Sequence, residues 1–176
     1  MQQQPRQPIS AQDLEVWRAR QTAFEEFGAY ALTPVNLATD EGRPERFSGG
    51  QLTVAAFAAL GVQPMLGRGF RDGDDRPGAD PVILLGEHLW RDRYAHAPGI
   101  VGTVIRANGA FRTVIGVMPE RFGFPILQEI WMPLMIDSPK PRGEGPNYQV
   151  VARLKPGVTL DKARERQKVE RREEGN

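Results

Sequence analysis

Residues 100–119 read IVGTVIRANGAFRTVIGVMP, two runs rich in Val, Ile, Thr and Phe on either side of Asn108-Gly109. Asparagine followed by glycine supplies the two positive-φ positions of a type I′ turn, and the flanking residue types suit a pleated surface. The stretch therefore predicts a β-hairpin. A two-residue loop sets Ala107 opposite Ala110, Arg106 opposite Phe111, Ile105 opposite Arg112 and Val104 opposite Thr113. In that register Val101, Ile105 and Val114 share one face, and Val104, Phe111, Ile115 and Val117 share the other. Cover on both faces of a buried base is expected, with the two arginines marking a solvated tip. Nothing in the stretch is catalytic in kind.

Upstream, the apolar run 82–85 predicts a strand buried on both faces, and 87–95 a helix that sets Trp90 and Tyr94 one turn apart. His88 and His96, the only histidines, have no carboxylate at a ligand offset in sequence and read as surface or packing residues. The loop 71–81 carries Asp72, Asp74 and Asp75 between Arg71 and Arg76, and Asp80 beyond them. Its carboxylate density is that of an opening calcium loop, but Arg76, Pro77 and Gly78 stand where further oxygen ligands belong, so a solvated charge cluster is expected. Gly67-Arg68-Gly69 lacks the third glycine and the strand-to-helix setting of a phosphate loop.

Further toward the N-terminus, residues 54–60 predict a short helix ended by Gly61. Segments 29–37 and 45–53, broken by Pro34, Gly49 and Gly50, predict short irregular strands around a polar turn at 39–44. Ser10 is placed to cap a helix carrying Leu14, Trp17, Gln21, Phe24 and Phe27 on a core-facing stripe, with Gly28 as its terminator. The Gln- and Pro-rich residues 1–9 predict a flexible leader. Downstream of the hairpin, the sequence predicts an aromatic turn at 120–125, a strand at 130–135, an exposed Pro/Gly-rich loop at 137–146 and an alternating strand at 148–155. Thr159 then caps a final helix whose charged end, 166–176, is expected to fray.

The fold class these elements predict is α+β, a mixed sheet with short helices around the central hairpin, arranged as two subdomains sharing one core. With 176 residues, 40% of them hydrophobic, the chain has material for such a core. A net charge of +1 gives no field to gather nucleic acid. Zero cysteines exclude disulfides and thiolate chemistry without fixing a compartment. No apolar run approaches the roughly 20 residues of a membrane span, and the N-terminus has no apolar signal-peptide core.

Several strings occur together in order: LTVAAFAALGVQPMLGRGF (52–70), VILLGEHLW (82–90), IVGTVIRANGAFRTVIGVMPERFGFP (100–125), IWMPL (130–134) and VVARLKPGVTLDKA (150–163). In these the chain resembles the MacB-like periplasmic core domain of ABC-type transporter permeases, of the macrolide-exporter and FtsX class, over about Trp17 to Ala163. The matching positions are structural in kind. They are Phe57, Leu60-Gly61-Val62, Pro64, Leu66-Gly67-Arg68, Phe70, Trp90, Gly102, Asn108-Gly109, Val114, Gly116-Val117, Pro119, Phe122, Trp131, Pro133, Arg153-Leu154 and Pro156-Gly157. Arg68 is read as making a buried or capping hydrogen bond.

The resemblance implies an extracytoplasmic, non-catalytic module that engages a substrate or partner and is coupled to ATP-driven membrane motion, with no catalytic, cofactor or metal residues. It implies as partners the parent permease's membrane helices, a second permease copy or half, a cytoplasmic ABC ATPase and a periplasmic adaptor, and no nucleic acid. In the family a first strand normally precedes the Trp17 helix, and without it one sheet edge is expected to be uncovered. Two other readings are a small metal-dependent hydrolase built on Asp72, Asp74, Asp75 and His88, and a free-standing secreted interaction domain.

Overall fold

The computed structural model describes residues 9–38, 43–136, 145–163 and 165. Its elements run α1 (Ala11–Arg20), β1 (Phe24–Leu37), β2 (Glu45–Leu52), α2 (Val54–Leu60), β3 (Leu66–Gly67), β4 (Val82–Gly86), α3 (Glu87–Tyr94), β5 (Val104–Ala107), β6 (Ala110–Met118), β7 (Ile130–Pro133) and β8 (Gln149–Leu154). A last helical turn starts at Leu160, where the Ala163 N–H donates to the Thr159 carbonyl. The loop expected at 137–146 and the charged end lie mostly outside the described residues.

The hairpin has the predicted register, with Ala107 opposite Ala110 and Val104 opposite Thr113, and Asn108 and Gly109 take φ of 49° and 79°. Beyond Ile115 the predicted faces fail. The pairing of β4 with β6 runs Ile83↔Val114 and then Leu84↔Gly116, so Ile115 is an extra residue that reverses the parity of everything after it. Val117 joins Val114 in one cluster, and Ile115 and Met118 lie in another. The tip also differs from expectation. Arg106 lies outside over the exposed Phe111 ring, whereas the partly buried Arg112 leaves its Nε without a partner, and burial lowers the guanidinium pKa.

The strands form one eight-stranded mixed sheet in the order β2-β7-β4-β6-β5-β1-β8, and β1 also pairs with β2. Those pairings close six strands into a ring, with β8 attached outside it along β1 and β3 along β6. Val35, Leu37, Ile83, Leu85, Ala107, Val114, Val117, Ile130 and Met132 fill the lumen, and Leu89, Trp90 and Ile100 pack onto the same cluster. On the outside, Tyr30, Leu84, Met118 and Trp131 pack beneath Ala56 and Phe57 of α2. A third cluster joins Ile9, Leu14, Phe27 and Tyr148. Ile9, at the end of the expected leader, is buried and exchanges two 2.8 Å hydrogen bonds with Tyr148.

Two expectations near the N-terminus are corrected. The first helix stops at Arg20, and Phe24 and Phe27 belong to β1, where they pair with β8 opposite Leu154 and Ala152. Segments 29–37 and 45–53 form long, regular strands joined by an unbroken register from Tyr30↔Leu52 to Leu37↔Glu45. Pro34 is tolerated because Asn36, two residues on, directs its N–H and carbonyl toward Asn108, away from β2. The missing N–H of Pro34 therefore falls on the side where no β2 bond is lost.

Candidate functional site

A cleft of about 450 Å³ opens between α1, the start of α2 and the acidic loop. Leu14, Glu15 and Arg18 line it from α1, Glu26 from β1, Val54, Ala55 and Ala58 from α2, and Asp72, Asp75 and Arg76 from the loop, with Leu134 and Ile136 beside them. Its lining places four carboxylates against two guanidiniums over an apolar floor.

The cleft walls are held by the loop's own acids. Asp75 accepts the Val54 N–H at 2.7 Å. Asp74, only 8% exposed, accepts from Arg68 Nη1 at 2.7 Å and from the Arg71 N–H at 3.0 Å. The expected solvated cluster is thus corrected: Asp74 is buried, and its cation is Arg68 rather than the flanking arginines. Arg68 also donates to the Gly69 carbonyl, which agrees with the hydrogen-bonding role read from the sequence. Thr53 caps α2 from its buried hydroxyl, accepting from Ala56 N–H at 3.2 Å and Ala29 N–H at 3.1 Å. On the far side of α2, Arg153 of β8 donates to the carbonyls of Ala58 and Ala59 at 2.9 to 3.1 Å, satisfying the helix end that Gly61 terminates at φ 65°.

A second group of polar side chains sits at the β4–α3 junction. Glu87 Oε1 lies 2.9 Å from His96 Nε2, and Oε2 lies 3.2 Å from Arg91 Nη1. The His96 hydrogen bond, opposed by burial and aided by the charges of Arg91, His88 and His96, holds the Glu87 carboxyl below its ordinary range. His88 and Glu120 bring their ligand atoms within 4.8 Å of those of Glu87. The sequence offers the histidine pair no carboxylate at a persuasive ligand offset, and the fold supplies Glu87 and Glu120 instead. Glu120 is far away in sequence but arrives because β4 and β6 run parallel, with Gly86 opposite Met118. The proposed hydrolase set is not assembled as drawn, since Asp74 and Asp75 serve Arg68 and α2 while His88 faces Glu87, Arg91 and Glu120.

The other singled-out residues have architectural surroundings. Phe57 packs on Phe70 at 5.1 Å and Phe122 on Trp131 at 4.9 Å, and Leu60 lies against the same cluster. Trp90 Nε1 donates to the Ala97 carbonyl and Trp131 Nε1 to that of Phe124. Gly67 and Gly116 face each other where β3 meets β6, and Pro133 pairs with Leu52. The Phe122 N–H donates to the Pro119 carbonyl. Pro64 lies in the link from α2 to β3, Gly102 takes φ 92°, and Pro156-Gly157 forms the turn after β8 with Gly157 at φ 80°.

The profile of the MacB-like periplasmic core domain matches residues 1–168. The chain belongs to that family. As a MacB-like periplasmic core domain it is an extracytoplasmic part of an ABC-type transporter permease. Among the described residues no helix is long and apolar enough to cross a membrane. Three solved structures share the fold. The periplasmic region of MacB from Actinobacillus actinomycetemcomitans has a TM-score of 0.70 at 14% identity, covering 91% of this chain and 71% of that one. The extracellular domain of the noncanonic ABC-type transporter YknZ from Gram-positive bacteria has a TM-score of 0.64 at 15% identity, covering 92% and 79%. A permease-protein domain from Porphyromonas gingivalis has a TM-score of 0.67 at 17% identity, covering 94% and 77%. No curated protein sequence matches.

Proposed function

We propose that this MacB-like domain is a non-catalytic module that engages substrate or partner in the α1–α2 cleft and couples that engagement to ATP-driven movement of the permease membrane helices. The observation that carries the reading is the pairing of β1 with the last strand, β8. The Lys155 N–H after β8 donates to the Ala23 carbonyl before β1, so the chain enters β1 beside the point where it leaves β8. β8 in turn grips α2 through Arg153, and α2 forms a wall of the cleft. A displacement passed to β1 and β8 from membrane-linked parts of the permease would reach the cleft along that route as a rigid-body shift. The partners this role requires are the parent membrane helices, a second permease copy or half, the cytoplasmic ATPase and a periplasmic adaptor. Nucleic acid has no place in it.

The test uses the full-length permease with its ATPase in vesicles. Arg153→Ala is expected to leave ATP hydrolysis near wild type while cutting transport or partner release, with Arg153→Lys recovering part of it. Equal transport per ATP in wild type and Arg153→Ala would sink the coupling route.

A further inference from the structure

The chain contains two histidines and no cysteine, and both histidines converge on one carboxylate, Glu87. His96 reaches it from an unusual backbone. Ala95 and His96 are consecutive non-glycine residues at positive φ, 47° and 54°, a conformation that costs free energy and is retained where the surroundings impose it. The imidazole packs edge-on to Trp90 at 4.6 Å and meets Glu87 Oε1 at 2.9 Å. The other carboxylate oxygen, Oε2, lies 3.9 Å from His88 Nδ1, and Glu120 stands beside the pair.

A cation already sits among these acceptors. Arg91 places Nη2 2.6 Å from His88 Nδ1 and Nη1 3.2 Å from Glu87 Oε2, and the charge of Glu120 also acts on it. Since a guanidinium nitrogen only donates, His88 Nδ1 is the acceptor and presents a lone pair to the centre. Arg91 is 40% exposed and also bonds to Asp92 on the solvent side, so it can leave the centre without losing all its partners.

We propose that Glu87, His88 and Glu120 form a site for a borderline divalent cation of the Zn²⁺ kind, that such an ion takes the place of Arg91, and that His96 orients Glu87 from its other oxygen. One imidazole and two carboxylates are a donor set for zinc, with the remaining coordination position left to water. The ligand atoms, within 4.8 Å of one another, must close by about 1 Å to reach ligand–ligand spacings set by bonds of about 2.0–2.2 Å. His88 and Glu120 are exposed, so with Arg91 displaced their side chains have room to close that gap. A bound ion would tie α3 to the segment following β6.

Isothermal titration of the 176-residue chain with ZnCl₂, and separately with CaCl₂, tests this. One saturable site is expected for Zn²⁺ and none for Ca²⁺ at the same concentrations. His88→Gln and Glu120→Gln should each abolish or strongly weaken it, and His96→Gln should weaken it by about 10- to 100-fold, the usual effect of losing a group that orients a ligand. Arg91→Gln should tighten it. Metal-free thermal melts of each variant establish that the fold is intact. Absence of saturable Zn²⁺ uptake, equal affinity for Ca²⁺, Zn²⁺ binding unchanged in His88→Gln, or weaker binding in Arg91→Gln would each overturn the proposal.

Discussion

Arg68 Nη1 lies 2.7 Å from Asp74 Oδ2, and the same oxygen accepts the Arg71 N–H, so the carboxylate depends on one cation and one backbone donor. The two partners are unequally buried, with side-chain exposures of 34% and 11%. Removing the cation strands a nearly buried charge, whereas removing the carboxylate leaves a guanidinium that water can reach. Arg68→Ala is therefore expected to cost about 1–3 kcal/mol and Asp74→Ala less. In a double-mutant cycle measured by urea unfolding, the pair should show coupling of about 0.5–3 kcal/mol. Strictly additive losses would mean that the ion pair contributes nothing. The residue type at Arg68 suggested a hydrogen bond from sequence alone, but its partner was not legible there. Arg71 and Arg76 are closer to the acids along the chain, and only the fold of the loop turns Asp74 inward toward Arg68.

At the scale of elements, legibility followed the range of the interactions that decide each one. The hairpin was legible because Asn108-Gly109 fixes its own turn and the turn fixes the register. The face assignment fails after Ile115 because a bulge is imposed by neighbours: β3 approaches from one side, with the Arg68 N–H donating to the Ile115 carbonyl, and β4 pairs on the other. In sequence the first helix extends too far because the spacing of Phe24 and Phe27 continues a helical stripe, while pairing with β8 draws both into a strand. In β2 the apparent breakers are packing requirements. A Cβ on Gly49 would run into Val35 and one on Gly50 would press on the Trp131 ring. The Glu87–His88–Glu120 group was invisible for the same reason, since parallel pairing of β4 with β6 assembles it. Gly28 offers the sharpest test of such close approach. A side chain there would overlap the Ala56 backbone and the Thr53 hydroxyl, where α2 rests on β1. Gly28→Ala should push the helix away and cost about 1–3 kcal/mol, measured by thermal or denaturant unfolding. Gly99→Ala, which meets nothing within 4 Å, should be close to neutral. Equal effects at the two positions would remove the steric explanation.

For the molecule as a whole, ring closure rests on unequal seams. β1 meets β2 over eight paired positions, but it meets β5 at one, Leu37 opposite Ala107. The rest of that seam is built by the turn residue. The Asn108 N–H donates to the Asn36 carbonyl at 2.9 Å, its Oδ1 accepts the Asn36 N–H at 2.8 Å, and its Nδ2 donates to the Pro34 carbonyl at 3.2 Å. Asparagine both tolerates the left-handed turn position and carries the acceptor and donor that clasp β1. Asn108→Gly keeps the turn conformation and deletes only the clasp, so the expected loss is about 1–2 kcal/mol for two side-chain hydrogen bonds, most of it felt at the seam. Native-state hydrogen exchange can locate that loss. The amides of Ala38 and residue 108, which bond across the seam, should lose protection in Asn108→Gly, while amides joining β4 to β6 keep theirs, because they open only with larger cooperative units. If protection instead falls uniformly over all strands, the ring opens only as a whole and the clasp is not a local latch. If it falls nowhere, the contact between Leu37 and Ala107 closes the ring without help from the turn.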